Sequence, residues 1–488
     1  MNLRPIALGL LAATLSLGLA ASDLPDLGDS SLANLPPHEE KRIADMTARE
    51  LRRSGEVLDD VEVSDYLNQL GYKLVSASHE NRTQFRFFPL LSPSINAWAV
   101  PGGVIGVNTG LIVLAQHESE LAAVLAHEIA HVTQHHYARM VESQKGAGIV
   151  SLGTLALAIL AASRGSGDAP FAAVAASQGY QTQRYLDFSR DFEREADRVG
   201  MQTLQAAGFD IRAMPTFFDR MQKFYRNVDN GAFAFLRTHP VTGERISDSE
   251  ARAAQQPYRQ WPDSMDFLLV RERARVLQLG AQAALAHYAG TTSQKKYADE
   301  AAQQYGYALA LLQAGRHEAA WERLSLAQKA LPSGHAMLAA LGGNIRLAQA
   351  RYEDAAALFR SGLASYPSAT ALQYGEIDVN LRQGQWEQAI KLTEQALGLR
   401  SSDPGLHKRL AQAYEQLKQT GPAHRALAEY YALLDEPSAA LQQLQIARRA
   451  GGDFYQMSAI EARMRELRAQ LAEASKHGMG PGEPQPAP

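Results

Sequence analysis

The chain has 488 residues, of which 46% are hydrophobic, and its formal net charge at pH 7 is −4. This length is enough for two or three domains, and the small net charge gives no indication of nucleic-acid binding. The sequence contains no cysteine, which excludes disulfide bonds, thiolate metal ligands and a lipid-modified N-terminal cysteine. Any metal ion must therefore be held by histidines and carboxylates.

The first residues have the pattern of a secretory signal peptide. Arg4 supplies a positive charge, Ile6–Ala20 forms a short apolar core, and small residues place the cleavage site after Ala20 or Ser22. An uncleaved membrane anchor is the alternative, but this core is shorter than the ~20 residues that a membrane span requires. We therefore predict a signal peptide at residues 1–21 and, if the source is a Gram-negative bacterium, a mature protein in the periplasm.

After the signal, residues 22–60 are predicted to form a linker, acidic and proline-containing at Ser22–Pro37, and a helix. Apolar residues three or four apart predict helices, whereas short apolar runs beside glycine or proline predict strands. A strand at the edge of the sheet that these strands form could bind an extended peptide as an additional strand. The alternative is an ordinary internal hairpin. The predicted elements are helices at Glu39–Ser54 and Val61–Ser76 and strands at Gln84–Leu91, Ala97–Val100 and Val104–Val107.

His127, Glu128 and His131 form an HExxH pattern within an apolar, predicted helix. Histidines four residues apart share one face of a helix, so both rings can reach a single metal ion. Glu128 projects close to that face and can take a proton from a metal-bound water. The alternative is a solvated helix face with incidental histidines, which is how we interpret His135 and His136.

The segment after the HExxH helix is unusually apolar. Ile149–Ala162 and Ala169–Ala176 are almost wholly hydrophobic, and Gly165 and Gly167 lie between them. Neither run is long enough to cross a bilayer. Three interpretations of Ile149–Ala176 are open: a buried helical hairpin, a flap hinged at the glycines, or a segment that dips into a membrane surface.

Further carboxylates follow at helical spacing. Glu193 and Asp197 are four residues apart and share one helix face, while Glu195 points to the opposite side. One carboxylate of such a pair can bind an ion, and the other can orient a ligand histidine through its second ring nitrogen. We assign Glu193 as the metal ligand and Asp197 as the orienting group. A charged, solvated helix face is the alternative.

These motifs together resemble a family of zinc metalloproteases typified by HtpX and the CAAX prenyl protease. The HExxH helix is followed by Glu-x-x-Ala-Asp at Glu193–Asp197, and the resemblance covers about Val61 to Ser249. The other matching segments are the strand pair at Ile95–Val107, Gly208-Phe209-Asp210, Thr238-His239-Pro240 and Arg245-Ile246.

The resemblance implies a zincin-like α+β metalloprotease domain at residues 61–262, mostly helical with a small sheet. It implies one zinc ion per chain, with His127, His131 and Glu193 as ligands and Glu128 as the catalytic base. The enzyme expected from this resemblance is a zinc metalloendopeptidase.

The resemblance also places His239 near the metal, although a His-Pro pair in a loop can be no more than a turn. There the ring could donate a hydrogen bond to the oxyanion of the reaction. It could instead occupy the open zinc position and switch the enzyme off. We expect Arg245 to anchor the loop.

The C-terminal half contains an internal repeat with a period near 34 residues, paired predicted helices and a closing proline. This pattern is typical of tetratricopeptide repeats, in which small residues let paired helices approach and the stack leaves a concave groove. We predict an all-α solenoid at 266–474, capped by a helix at Ser458–Ala474, and a disordered tail at 475–488; a general helical bundle is the alternative. The shared alanines are Ala320, Ala355, Ala389 and Ala423, spaced by 35, 34 and 34 residues, and the closing prolines are Pro332, Pro367, Pro404 and Pro437.

An exported protease of this family with such repeats is similar to family members that act in outer-membrane β-barrel assembly. The resemblance implies chaperone and quality-control work on unfolded or stalled outer-membrane proteins, and contact with the barrel-assembly machinery through the repeats. Peripheral membrane contact is a further expectation.

The alternative is a periplasmic repeat scaffold or chaperone whose metal site is structural or latent. Glu128 argues against that alternative, because a structural site needs no base. An oxidoreductase metal site is a third, less favoured alternative.

Overall fold

The computed structural model describes five stretches of the chain, residues 35–78, 83–143, 190–227, 234–257 and 261–476. These stretches are mostly helical with one small sheet, as expected. The predicted signal peptide, most of the linker, the apolar segment 149–176 and residues 477–488 of the predicted tail lie outside them, whereas Ser475 and Lys476 of that tail belong to the last described helix. Within the described stretches, no helix combines the length and the apolar character needed to cross a membrane.

The first part of the described chain contains the sheet and nine helices. The strands and helices predicted between residues 39 and 107 are confirmed, with ends that shift by at most two residues. The elements are α1 (Pro37–Ser54), α2 (Val61–Ala77), β1 (Arg86–Leu90), β2 (Ala97–Val100), β3 (Val104–Asn108), α3 (Thr109–Leu114), α4 (Glu118–Thr133), α5 (His136–Ser143), α6 (Arg190–Ala206), α7 (Ala213–Asn227), α8 (Ala234–Thr238) and α9 (Gly243–Ala254).

The sheet has the strand order β1-β3-β2. β2 and β3 form an antiparallel hairpin with Ala97 opposite Val107, whereas β1 runs parallel to β3 with Arg86 opposite Val104. β2 is therefore an edge strand. All four of its residues are nevertheless buried, so this edge is covered by the surrounding helices.

Helix α4, which carries the HExxH residues, is enclosed on all sides. Every residue from Ser119 to Val132 is buried, as expected for a helix that is apolar around most of its circumference. α2 packs against α4 and against β1. The close approach of α2 to β1 depends on Gly71, because a Cβ atom there would lie 2.3 Å from the ring of Phe87.

The remaining eleven described helices follow one another as an array. Each contacts the next, and α11, α13, α15 and α17 also contact one another in turn, an arrangement compatible with a repeat solenoid. The four alanines of the predicted repeat are buried. The helices are α10 (Met265–Gln294), α11 (Glu300–Gln313), α12 (His317–Ala330), α13 (Ala336–Ala348), α14 (Tyr352–Ser365), α15 (Thr370–Arg382), α16 (Trp386–Leu399), α17 (Pro404–Gln416), α18 (Thr420–Leu433), α19 (Pro437–Ala450) and α20 (Phe454–Lys476).

The array shares its core with the first part of the chain. One buried hydrophobic cluster includes residues of α2, α4, α10 and α13. Arg273 of α10 forms ion pairs of 2.7 Å with Asp60 and 2.6 Å with Glu62, at the start of α2. The Ser264 hydroxyl donates a 2.8 Å hydrogen bond to Glu118, the first residue of α4. The helix that carries the HExxH residues is thus tied directly to the beginning of the array.

Helix α1 connects the sheet to the far end of the array. Its Ile43 belongs to the same buried cluster as Trp98 of β2. Its Arg49 and Arg52 form ion pairs of 3.2 and 2.6 Å with Asp435, between α18 and α19. We call this contact the α1 clasp.

Because α2 packs closely on β1 at Gly71, we expect a larger residue at this position to destabilise the fold. Gly71→Ala should lower the free energy of unfolding by about 1–3 kcal/mol, because overpacking against Phe87 outweighs the gain in helix propensity. Gly290→Ala in α10, where no described atom beyond the helix's own nearby backbone lies within 4 Å of the new Cβ, should raise it by roughly 0.5–1 kcal/mol. Urea unfolding of both variants checks the prediction. Changes in the free energy of unfolding that have the same sign in both variants would contradict it.

Candidate metal centre

Two buried helices bring the predicted site residues together. α6 packs against α4, and Gly200 of α6 allows the approach, since a Cβ atom there would lie 3.1 Å from the backbone nitrogen of His127. All five predicted residues on these helices are buried: His127, Glu128, His131, Glu193 and Asp197.

Four side chains converge at the centre of the site, each offering one atom within 4.8 Å of the others: His127, His131, Glu193 and His239. The Nε2 atoms of His127 and His131 are 3.0 Å apart. Nδ1 of His239 lies 3.4 Å from His127 Nε2 and 3.0 Å from Glu193 Oε1. Glu193 Oε1 lies 3.5 Å from His131 Nε2. We call these four residues the donor set.

The spacing and chemistry of the donor set fit a divalent metal ion. In a tetrahedral zinc site with bonds of about 2.0–2.1 Å, neighbouring donor atoms lie about 3.3–3.4 Å apart. The separations of 3.0 to 3.5 Å in this structure lie around that value. Imidazole nitrogen and carboxylate oxygen are both ordinary zinc ligands.

Asp197 and Arg245 support the donor set from behind. Asp197 Oδ1 lies 3.0 Å from His127 Nδ1, the arrangement predicted for an orienting carboxylate. The guanidinium of Arg245 donates two hydrogen bonds to Asp197, at 2.7 and 2.8 Å, and one of 2.9 Å to the carbonyl of Pro240. It also lies 2.8 Å from Glu193 Oε2. Arg245 therefore holds the loop, as expected, and also neutralises two buried carboxylates.

The pKa values of the donor set follow from burial and mutual charge. Burial alone would lower the pKa of His127, but its contacts with Asp197 and Glu193 outweigh this effect and raise it to about 9. Burial lowers the pKa of His131 well below its usual range. Burial opposes ionisation of Glu193, yet His239 and Arg245 hold its pKa well below the usual range. A metal ion bound at His127 would therefore displace a proton, and its affinity would fall as the pH falls.

Glu128 lies between the donor set and the edge strand. Its Oε1 is 3.5 Å from His239 Nε2 and has no hydrogen-bond partner within the described chain, which leaves a lone pair for a proton. Burial raises its pKa, although the backbone N–H of Ala99 donates to the carboxylate. The Tyr137 hydroxyl donates a 2.7 Å hydrogen bond to the carbonyl of Ala99. Both backbone groups of Ala99 on β2 are therefore occupied.

The interpretation of His136 as incidental is wrong. This residue is fully buried, and its Nδ1 lies 2.9 Å from Nδ1 of His131. Burial lowers its pKa to about 4, so the ring is neutral at pH 7. A helical spacing rule could not find it, because His135 has a φ of 49° and breaks the helix between the two rings.

Comparison with known proteins agrees with this site. The sequence model of peptidase family M48 matches residues 63–253. The chain is 31% identical over 469 residues to the beta-barrel assembly-enhancing protease of Escherichia coli K12, covering 94% of this chain and 93% of that protein. It is 36% identical over 321 residues to a putative beta-barrel assembly-enhancing protease of Vibrio cholerae, and the alignment covers 65% of this chain and 66% of that protein. It is 28% identical over 192 residues to the mitochondrial metalloendopeptidase OMA1 of Schizosaccharomyces pombe, and the alignment covers 38% of this chain and 51% of that protein.

A helix with the HExxH residues, joined by a carboxylate from a second helix, is typical of metallopeptidases. The chain belongs to peptidase family M48, since it matches the family's sequence model and aligns over nearly its whole length with a beta-barrel assembly-enhancing protease. The family resemblance inferred from the motifs is therefore confirmed.

The double role of Arg245 makes a second prediction. Arg245→Leu should cost about 3–5 kcal/mol of unfolding free energy, because it leaves the buried carboxylates of Asp197 and Glu193 without their cation. Arg194→Leu is the matched control: its ion pair with Glu244 bridges the same two helices but is exposed, so the cost should stay below ~1 kcal/mol. Urea unfolding of the chelator-treated proteins measures both, and similar costs would refute the importance of burial.

Proposed function

We propose that the chain is an exported, zinc-dependent endopeptidase that acts on outer-membrane β-barrel proteins. The observation that carries the proposal is the convergence of His127, His131 and Glu193 beside a buried Glu128. In this proposal the first three hold the metal and Glu128 is the base. Bound zinc would supply Lewis acidity, which polarises a peptide carbonyl and acidifies water.

Glu128 is placed for proton transfer. Its buried carboxylate has a raised pKa and an oxygen without a hydrogen-bond partner in the described chain, so it can accept a proton from the attacking water. It can then deliver that proton to the leaving amine. Asp197 would orient His127 through the 3.0 Å contact at Nδ1.

His239 has two possible roles in this proposal. As an oxyanion donor it would assist catalysis. The structure favours the second role, because Nδ1 belongs to the donor set and the ring stacks on Phe235 at 4.8 Å, where it is buried. We propose that His239 is a latch that takes the position needed by water, so that the described arrangement is a resting state.

The substrate proposal rests on the relatives and on the array of helices. The name beta-barrel assembly-enhancing protease belongs to relatives that align with 94% of this chain at 31% identity. We propose that helices α10 to α20 are tetratricopeptide repeats that hold stalled clients and the barrel-assembly machinery near the metal, which raises the effective concentration of substrate. The signal-like residues 1–21 support a periplasmic location. Peripheral membrane contact through residues 149–176 is also proposed.

A scaffold or chaperone with a latent metal site is the second candidate function. It is favoured by one observation, the presence of four protein donors where a catalytic zinc usually has three. Holding of unfolded client that survives Glu128→Gln and is lost on removal of residues 266–488 would support it.

The base role of Glu128 is tested by zinc content and cleavage of an unfolded test protein. Glu128→Gln should retain about one zinc per chain, since this side chain is not a ligand, and should lose roughly 100- to 10,000-fold in cleavage rate. The control is Glu322→Gln on the exposed side of α12, which should change neither quantity. Cleavage by Glu128→Gln at the parent rate would rule out the proposed mechanism.

The latch role is tested with His239→Ala in the same assay. Cleavage should rise, by about tenfold for each ~1.4 kcal/mol by which the latched state is favoured, because water gains access to the metal. Zinc should remain bound through the other three ligands. A fall in cleavage with zinc retained would instead assign His239 to the oxyanion, and continued inactivity would favour the scaffold.

A further inference from the structure

The two ring nitrogens of His131 face different partners. Nε2 points into the donor set and lies 3.0 Å from His127 Nε2. Nδ1 lies 2.9 Å from Nδ1 of His136, a hydrogen-bonding distance between two buried rings. Only one of the two Nδ1 atoms can carry the shared proton, so the direction of this hydrogen bond fixes the tautomers of both histidines.

The proposed metal site determines that direction. A neutral histidine that binds an ion through Nε2 carries its proton on Nδ1, so His131 must donate and His136 must accept. The proton of His136 is then on Nε2, which lies 3.3 Å from Glu195 Oε2. Arg139 donates a 2.7 Å hydrogen bond to the same oxygen. The four groups therefore form a directed chain from the metal ligand to an arginine.

The surroundings of His136 hold the ring in this position. It stacks on the ring of Phe192 with centroids 4.8 Å apart and an interplanar angle of 18°. Arg139 lies over the same Phe192 ring, at 4.8 Å. The left-handed backbone of His135 turns the chain between α4 and α5, so that His136 faces back toward His131.

We propose that His136 is a positioning residue that fixes the tautomer and ring orientation of His131 by accepting the proton of Nδ1. The inference rests on the proposed metal site. It makes the two helix histidines a matched pair: His127 is oriented by Asp197 and Arg245, and His131 by His136, Glu195 and Arg139. The two arrangements differ in one respect. Asp197 contacts His127 directly, whereas the neutral ring of His136 lies between His131 and Glu195. The donor set already contains Glu193 and lies beside Glu128 and Asp197, so a further carboxylate in direct contact with it would add repulsion.

The test compares two amides at position 136 in the full chain. Asn places its side-chain oxygen where Nδ1 of histidine was, so His136→Asn keeps an acceptor for His131. Gln reaches toward the former Nε2 instead, so His136→Gln keeps the contact with Glu195 and removes that acceptor. Both lose the stacking on Phe192. Zinc affinity, measured by competition with a chromogenic chelator, should stay near the parent value in His136→Asn and weaken about 10- to 100-fold in His136→Gln.

A second measurement and a second variant guard against misfolding. The visible spectrum of the cobalt-substituted protein reports ligand geometry, and it should change in His136→Gln but not in His136→Asn. Glu195→Ala, at a partly exposed position, should weaken zinc binding in the same direction but less.

Equal zinc affinities in the parent and all variants would overturn the inference. Equal losses of zinc affinity in His136→Asn and His136→Gln would also overturn it, because they would indicate that only the packing of the ring matters. A parent that binds no zinc would instead refute the proposed metal site itself.

Discussion

Helix α4 places His127, Glu128 and His131 in the protein interior, where a polar group without a partner costs several kcal/mol. Side chains from the surrounding helices provide these partners. α6 supplies Glu193 and Asp197, α9 supplies Arg245, and α5 supplies His136. A buried polar network is stable only when each member is satisfied, so these helices are held together by the chemistry of the site as well as by apolar contact.

The same network explains why the site combines high charge with full burial. Arg245 offsets the carboxylates behind His127, and Arg139 offsets Glu195 behind His136. Arg245 also lies 2.8 Å from Oε2 of Glu193, so one of these two arginines contacts the donor set directly.

The sequence predicted those parts of the structure that depend on local spacing. The hairpin of β2 and β3 follows from two short apolar runs beside proline and glycine, and Glu193 and Asp197 follow from a four-residue spacing on a helix. It could not predict that β1 pairs with β3 or that His136 is buried against His131. Arg245 contacts Asp197 across 48 residues, and His136 contacts Glu195 across 59. Such pairs depend on tertiary packing, for which a single sequence carries no periodic signal.

The α1 clasp has a consequence for the order of folding. Arg49 and Asp435 are separated by 386 residues, so this contact closes a loop that contains most of the chain. Closing so long a loop carries a large entropic cost and becomes favourable only after the intervening helices have packed. Helix α1 emerges early from the ribosome, yet its contact with Asp435 forms only once α18 has been synthesised. The clasp can therefore form only after most of the described helices have been synthesised, and a chain truncated before Asp435 would lack it.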